Sequence, residues 1–118
     1  MGDSFKDIVV WQRAVEMSLA IYKLTKAFPT DERFGLTNQL RRASVSVASN
    51  IAEGYGKSSR GEYIQFLGHA RGSNGEAQTQ LVIARGPGLA SAAQLNTVEG
   101  LADEVGRMLV VIMNKLKR

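Results

Sequence analysis

The residues of this chain that could carry chemistry are few, and each lacks a neighbour that its chemistry requires. Gly56-Lys57-Ser58 matches the last part of a phosphate-binding loop, where backbone N–H groups cradle phosphates and the lysine reaches them. That loop needs a glycine five places before Gly56, where Ile51 stands, and a preceding strand, where the pattern is helical. His69 is the only histidine and there is no cysteine, which leaves too few ligands for a zinc site. Ser44, Ser46, Ser49 and Asn50 cluster without a histidine or lysine base at a serine-nucleophile spacing. They read as small polar residues that let helices approach and hydrogen-bond across a seam. Arg41-Arg42 could touch phosphate. Arg42 is expected in an ion pair with Glu76, whereas Arg41, one residue round the helix, is left freer. No base, nucleophile and orienting partner occur together, so the sequence reads as non-enzymatic, with no metal and no cofactor.

These residues must be positioned by helices. Val10, Ala14, Met17, Ile21, Leu24 and Phe28 recur every three or four residues, which stacks them on one helical face. Leu36, Leu40, Ala43, Val47 and Ile51 repeat the pattern, as do Leu67, Ala70, Asn74, Ala77, Leu81 and Ala84. Leu95, Val98, Ala102, Val105, Leu109, Ile112 and Leu116 form the last stripe. Helices are predicted near Asp7–Ala27, Leu36–Glu53, Arg60–Arg85 and Ala92–Lys117. Pro29-Thr30-Asp31, Gly54-Tyr55-Gly56 and Gly86-Pro87-Gly88 separate them, with a left-handed glycine expected at the second break. Ser59 and Glu62 have capping-box spacing, and Asp103 and Arg107 a favourable i,i+4 spacing. Short connections require antiparallel neighbours. The fold class is therefore all-α, an antiparallel up-and-down four-helix bundle forming one domain over residues 1–118.

Pairing about the Gly54–Ser59 turn sets the expected register. Trp11 should lie level with Ile51, Val47 with Leu67, Leu67 with Val105–Leu109, and Arg42 with Gly72–Ser73, one turn from Glu76. Gly68, Gly72 and Gly75 lie inside the third helix, at about 0.8–1.0 kcal/mol each relative to alanine. Close backbone approach to the second helix is the expected compensation. The first and last helices are apolar over more than one face: Ile8, Val9 and Trp11, then Leu101, Met108, Val110, Val111 and Met113. One buried face needs only a stripe, so the surplus predicts a subunit interface.

With 118 residues the chain can bury a real core. It has no apolar run long enough for a membrane span and no visible signal peptide, so a cytoplasmic protein with no membrane partner is expected. The net charge of +4 is mildly basic. Cations concentrate between Arg33 and Arg71 and again at Lys115, Lys117 and Arg118, while Gly86–Asn114 is acidic. That balance makes nucleic acid a reasonable partner.

Several stretches carry a family resemblance. They are Phe5-Lys6-Asp7-Ile8-Val9-Val10-Trp11-Gln12-Arg13-Ala14, then Leu36-Thr37-Asn38-Gln39-Leu40-Arg41-Arg42-Ala43-Ser44-Val45-Ser46 running on to Ser49-Asn50-Ile51-Ala52-Glu53-Gly54. Ala70-Arg71-Gly72-Ser73, Glu76 and Thr79-Gln80-Leu81 complete the set. Over nearly its whole length the chain resembles the bacterial four-helix-bundle family encoded by intervening sequences within 23S ribosomal RNA genes. More distantly it is similar to the accessory variability determinant of diversity-generating retroelements. It departs at Gly86-Pro87-Gly88, where such relatives carry a longer helical or Leu-Gly-Tyr-like turn. The resemblance implies a homopentamer of four-helix subunits without known enzymatic activity. The distant relative binds nucleic acid and a reverse transcriptase.

The functional expectation is thus a non-catalytic homo-oligomer that binds RNA or DNA through Arg41, Lys57, Arg60, Lys115, Lys117 and Arg118. Arg13, Lys23 and Lys26 are possible additions on the first helix. Binding would be by phosphate contact, without sequence reading. The alternative is a protein-interaction scaffold, for example for a reverse transcriptase, with incidental nucleic-acid affinity.

Overall fold

A computed structural model describes residues 4–118. Four helices make up the chain: α1 (Val9–Thr25), α2 (Leu36–Tyr55), α3 (Arg60–Arg85) and α4 (Ala92–Leu116), with no strand among the described residues. Each helix packs against its sequence neighbour and α1 closes on α4, giving the antiparallel bundle. The four stripes meet in one core in which Met17, Ile21, Leu40, Ile51, Leu67, Leu81, Leu95 and Leu109 are almost fully buried. Among the described residues no helix is long and apolar enough to cross a membrane.

Helix ends follow local chemistry. Before α1, a single 3-10 turn at Phe5–Asp7 is capped by Ser4, whose Oγ accepts from the Lys6 N–H at 3.1 Å. The Phe5 ring meets Trp11 edge-on at 5.2 Å, so the turn is pinned to the bundle and α1 starts at Val9 rather than Asp7. Ser59 caps α3 by accepting from the Glu62 N–H. The Glu62 carboxylate accepts a hydrogen bond from the Ser59 hydroxyl instead of from the Ser59 N–H, so the predicted box is only half formed. A complete box stands at α4, from Ser91 and Gln94. At the end of α3, Leu89 N–H bonds to Ala84 and Gly88 N–H to Arg85, with Gly88 at φ 72°. That is a Schellman stop, and it explains Gly86-Pro87-Gly88.

Glycine is used differently from expectation elsewhere. Gly54 does not end α2 in the left-handed region; the helix runs on to Tyr55 and Gly56 stays right-handed. What Gly54 provides is room. A Cβ there would stand 2.8 Å from Phe66 Cβ and 3.1 Å from the Tyr63 ring. This is the close approach of α2 to α3. Gly72 and Gly75 have nothing within 4 Å of a built Cβ, and Gly68 has only the Met113 methyl, at 3.8 Å. The three α3 glycines therefore face away from α2, contrary to the prediction.

The register also differs. Ser46 bonds Ser73 at 2.9 Å and Gln80 bonds Gln39 at 3.5 Å, which places Val47 beside Gly72 and Leu67 beside Ala52. Across the next seam, the Asn74–Ala102 bond sets Leu67 level with Leu109, as expected, while the Gly68–Met113 contact sets it a turn further towards the end of α4. Part of the displacement of about five residues arises because Gly54-Tyr55 belong to α2, which moves the turn towards α3. The α1–α2 register holds: Ser18 bonds Ser44 at 3.0 Å, and Trp11 shares a groove with Ala48 and Ala52.

Candidate nucleic-acid interface

Antiparallel topology brings the end of α2, the start of α3, the end of α4 and the start of α1 to one end of the bundle. Lys57, Arg60, Lys115, Lys117 and Arg118 are all exposed there, joined by Lys6. Arg60 Nη1 donates to the Arg118 carbonyl at 3.4 Å, which ties the two segments together. Lys57 lies 4.9 Å from the Phe66 ring centroid and a loose 4.0 Å from the Glu53 carboxylate. The aromatic face and the carboxylate both hold the ammonium near the α2–α3 turn while leaving it in contact with water. Among the described residues, the acidic side chains of the segments that meet at this end are Asp7, Glu53 and Glu62.

Beneath the turn, Tyr55 and Tyr63 meet edge-on at 6.1 Å. Burial pushes the Tyr63 phenol above its usual ionisation range, and Tyr55 adds to the shift. The pair gives this end a rigid apolar floor.

Arg41 does not belong to the same surface. It lies on α2 some 14 residues before Tyr55, roughly 20 Å away along the helix axis. Nor is it free. Its Nε donates to Thr25 Oγ1 at 2.9 Å, and its guanidinium stands 4.7 Å from the Tyr22 ring centroid. Thr25 in turn donates to the Ile21 carbonyl at 2.7 Å. Half-buried Arg41 thus clamps α2 to α1, which corrects the expectation that it would be the freer of the two arginines.

Arg42 is the exposed one. The observed register puts it almost level with Glu76 across the α2–α3 groove, closer than predicted. Even so, the ion pair is not formed. The pairs within 4.0 Å among the described residues are Arg13–Glu16, Arg13–Glu104, Lys57–Glu53 and Arg85–Glu99. The predicted Asp103–Arg107 pair is also absent, because Asp103 accepts from Gln78 Nε2 of α3 at 2.9 Å. Arg13 is occupied by Glu16 and Glu104, which together raise its already high pKa; Glu16 is the larger influence.

The serine cluster behaves as a seam. Ser44 is buried, bonding Ser18 of α1 and its own Arg41 carbonyl, while Ser46 bonds Ser73 of α3. Asn50 Nδ2 donates to Ser46 O and Oγ. His69 is exposed, edge-on to Phe66 at 5.5 Å. Among the described residues no three His, Cys, Asp or Glu side chains are grouped to hold a metal.

A basic end on a helical bundle does not by itself assign a family, but the sequence as a whole does. The model of the 23S rRNA-intervening sequence proteins matches residues 6–111. The chain belongs to that family. A crystal structure of a protein of unknown function from the S23 ribosomal protein family of Bacteroides thetaiotaomicron VPI-5482 has the same fold. Its TM-score is 0.84 at 24% identity, covering 92% of this chain and 98% of that one. No curated protein matches the chain. In this family member the matched region includes Arg41, Lys57 and Arg60 but stops short of Lys115, Lys117 and Arg118.

Proposed function

We propose that this 23S rRNA-intervening sequence family protein is a non-catalytic homo-oligomer that binds RNA or DNA through its basic end. The supporting observation is the gathering of Lys57, Arg60, Lys115, Lys117 and Arg118 at one end of the bundle, with few carboxylates nearby. Such a cluster contacts phosphates without reading bases. One subunit offers few contacts; a ring, of five copies by the resemblance, repeats the patch and engages many phosphates at once.

The apolar surface supports the oligomer. Leu19 is 66% exposed on α1, beside Trp11, Val15 and Val45 in a groove between α1 and α2. Apolar area of this kind is usually covered by a partner.

Fluorescence anisotropy with short RNA and DNA between about 50 and 200 mM salt tests the reading, because phosphate-driven binding changes most over that range. Binding should fall steeply with salt. Lys57→Glu, Arg60→Glu and Lys117→Glu together should weaken it and flatten the slope, with helicity unchanged. Absence of wild-type binding at the lowest salt would remove the proposal and leave the protein-scaffold reading, a reverse transcriptase included, in its place.

A further inference from the structure

The groove between α2 and α3 holds chemistry that neither the core nor the basic end uses. It encloses about 540 Å³, within the range of small-ligand sites. Arg42 stands on the α2 wall and Glu76 on the α3 wall, nearly level, exposed and unpaired with each other. Deeper in, Gln80 is 9% exposed, and its Oε1 is buried with no hydrogen-bond partner. A buried acceptor of this kind calls for a donor. Where the chain enters α2, Phe34 also lines the groove and is 87% exposed, with the Arg33 guanidinium 5.7 Å from its ring centroid. An exposed aromatic beside a polar groove is a stacking plate for a planar ligand.

We infer that this groove accepts one unpaired guanine of a nucleic-acid strand. Guanine presents two adjacent donors, N1–H and N2–H, on one edge and two acceptors, O6 and N7, on the next. A carboxylate matches the first edge and a guanidinium the second, in the bidentate geometry each prefers. Glu76 and Arg42 supply that pair from opposite walls, and rotation of the Gln80 side chain would bring its unpartnered Oε1 out to accept a further N–H from the base. The other bases fit poorly. Adenine, cytosine and uracil each set a lone pair beside the donor on their pairing edge, which would face the Glu76 carboxylate. Because the pairing edge is consumed, the guanine must be single-stranded.

The inference rests on the nucleic-acid reading above and adds base selection to it. The two sites are compatible along one strand: Arg42 and Lys57 are roughly 20 Å apart, about six stacked nucleotides at 3.4 Å each.

The test is anisotropy at about 50 mM salt, where phosphate binding is strong, with a 12-nucleotide uridine strand carrying one central guanosine, inosine or adenosine. A single guanosine avoids self-association of guanine-rich strands. The guanosine strand should bind about tenfold more tightly than the adenosine strand, the scale of one good bidentate contact, with inosine between them for want of N2–H. Glu76→Gln and Arg42→Gln should each abolish the guanosine-over-adenosine ratio, while the change of charge shifts both strands alike. Circular dichroism checks that both variants stay helical, and either alone suffices if the other unfolds. Equal affinity for guanosine and adenosine, or a guanosine preference that survives in both variants, overturns the guanine pocket and leaves phosphate binding standing. Failure of the wild type to bind any of the strands overturns both readings.

Discussion

The two seams of α2 carry neighbouring arginines and use them in opposite ways. On the α1 side Arg41 is half-buried, bonded to Thr25 and seated against Tyr22, and further along the same seam Trp11, Val15 and Leu19 line an apolar groove. On the α3 side Arg42 is exposed and unpaired beside Glu76, in a groove floored by Gln39 and Gln80. One residue along a helix is about 100° around it, enough to pass from one neighbour to the other. Identical side chains thus become a clamp and a free ligand group. The difference lies in what each neighbouring helix places opposite.

The comparison can be broken most severely through the core that both seams share. Leu67 is fully buried, and Leu67→Ala should cost about 2–5 kcal/mol in chemical denaturation. A loss below about 0.5 kcal/mol would place Leu67 at the surface, outside the core that both seams share. The tightness of the α3 seam is tested next by Gly54→Ala. Alanine favours a helix by about 0.8–1.0 kcal/mol, yet its Cβ would stand 2.8 Å from a Cβ that cannot swing aside. Overpacking of about 1–3 kcal/mol should therefore win, leaving the variant less stable. A stabilised variant would show that α2 and α3 do not approach closely.

The two arginines give a direct contrast of smaller size. Arg41→Ala removes a hydrogen bond and a cation–π contact and should cost about 1–2 kcal/mol. Arg42→Ala should stay within about 0.5 kcal/mol, as for a surface change. Equal losses would erase the distinction. Last, Leu19→Asp should leave monomer helicity unaltered but lower the mass seen by light scattering, because Leu19 lies on the exposed apolar groove. A wild type that already runs at 12.8 kDa at tens of micromolar would show that the groove covers no second copy.

Much of this architecture was legible from periodicity. α3 has the predicted bounds, and the other helices begin and end within two residues of theirs. Heptad-like apolar spacing specifies a helix and its buried face whatever that face meets, so the core residues could be listed without knowing their partners. The basic end was also legible as a set of residues, since Lys57, Arg60 and the Lys115–Arg118 segment flank helix termini that an up-and-down bundle must bring together.

What needed the tertiary structure was everything that depends on register and rotation. Sequence spacing could not say that Gly54 would stay helical, or at which level α2 and α3 would meet. It could not separate Arg41 from Arg42, because a guanidinium is claimed by whichever group happens to stand opposite. The α3 glycines looked like packing residues, yet the approach they were expected to permit occurs at Gly54 alone on that seam. Amphipathic pattern is a property of one helix and is written in its own residues. Which side chains face one another across a groove is a property of two, and only their packing decides it.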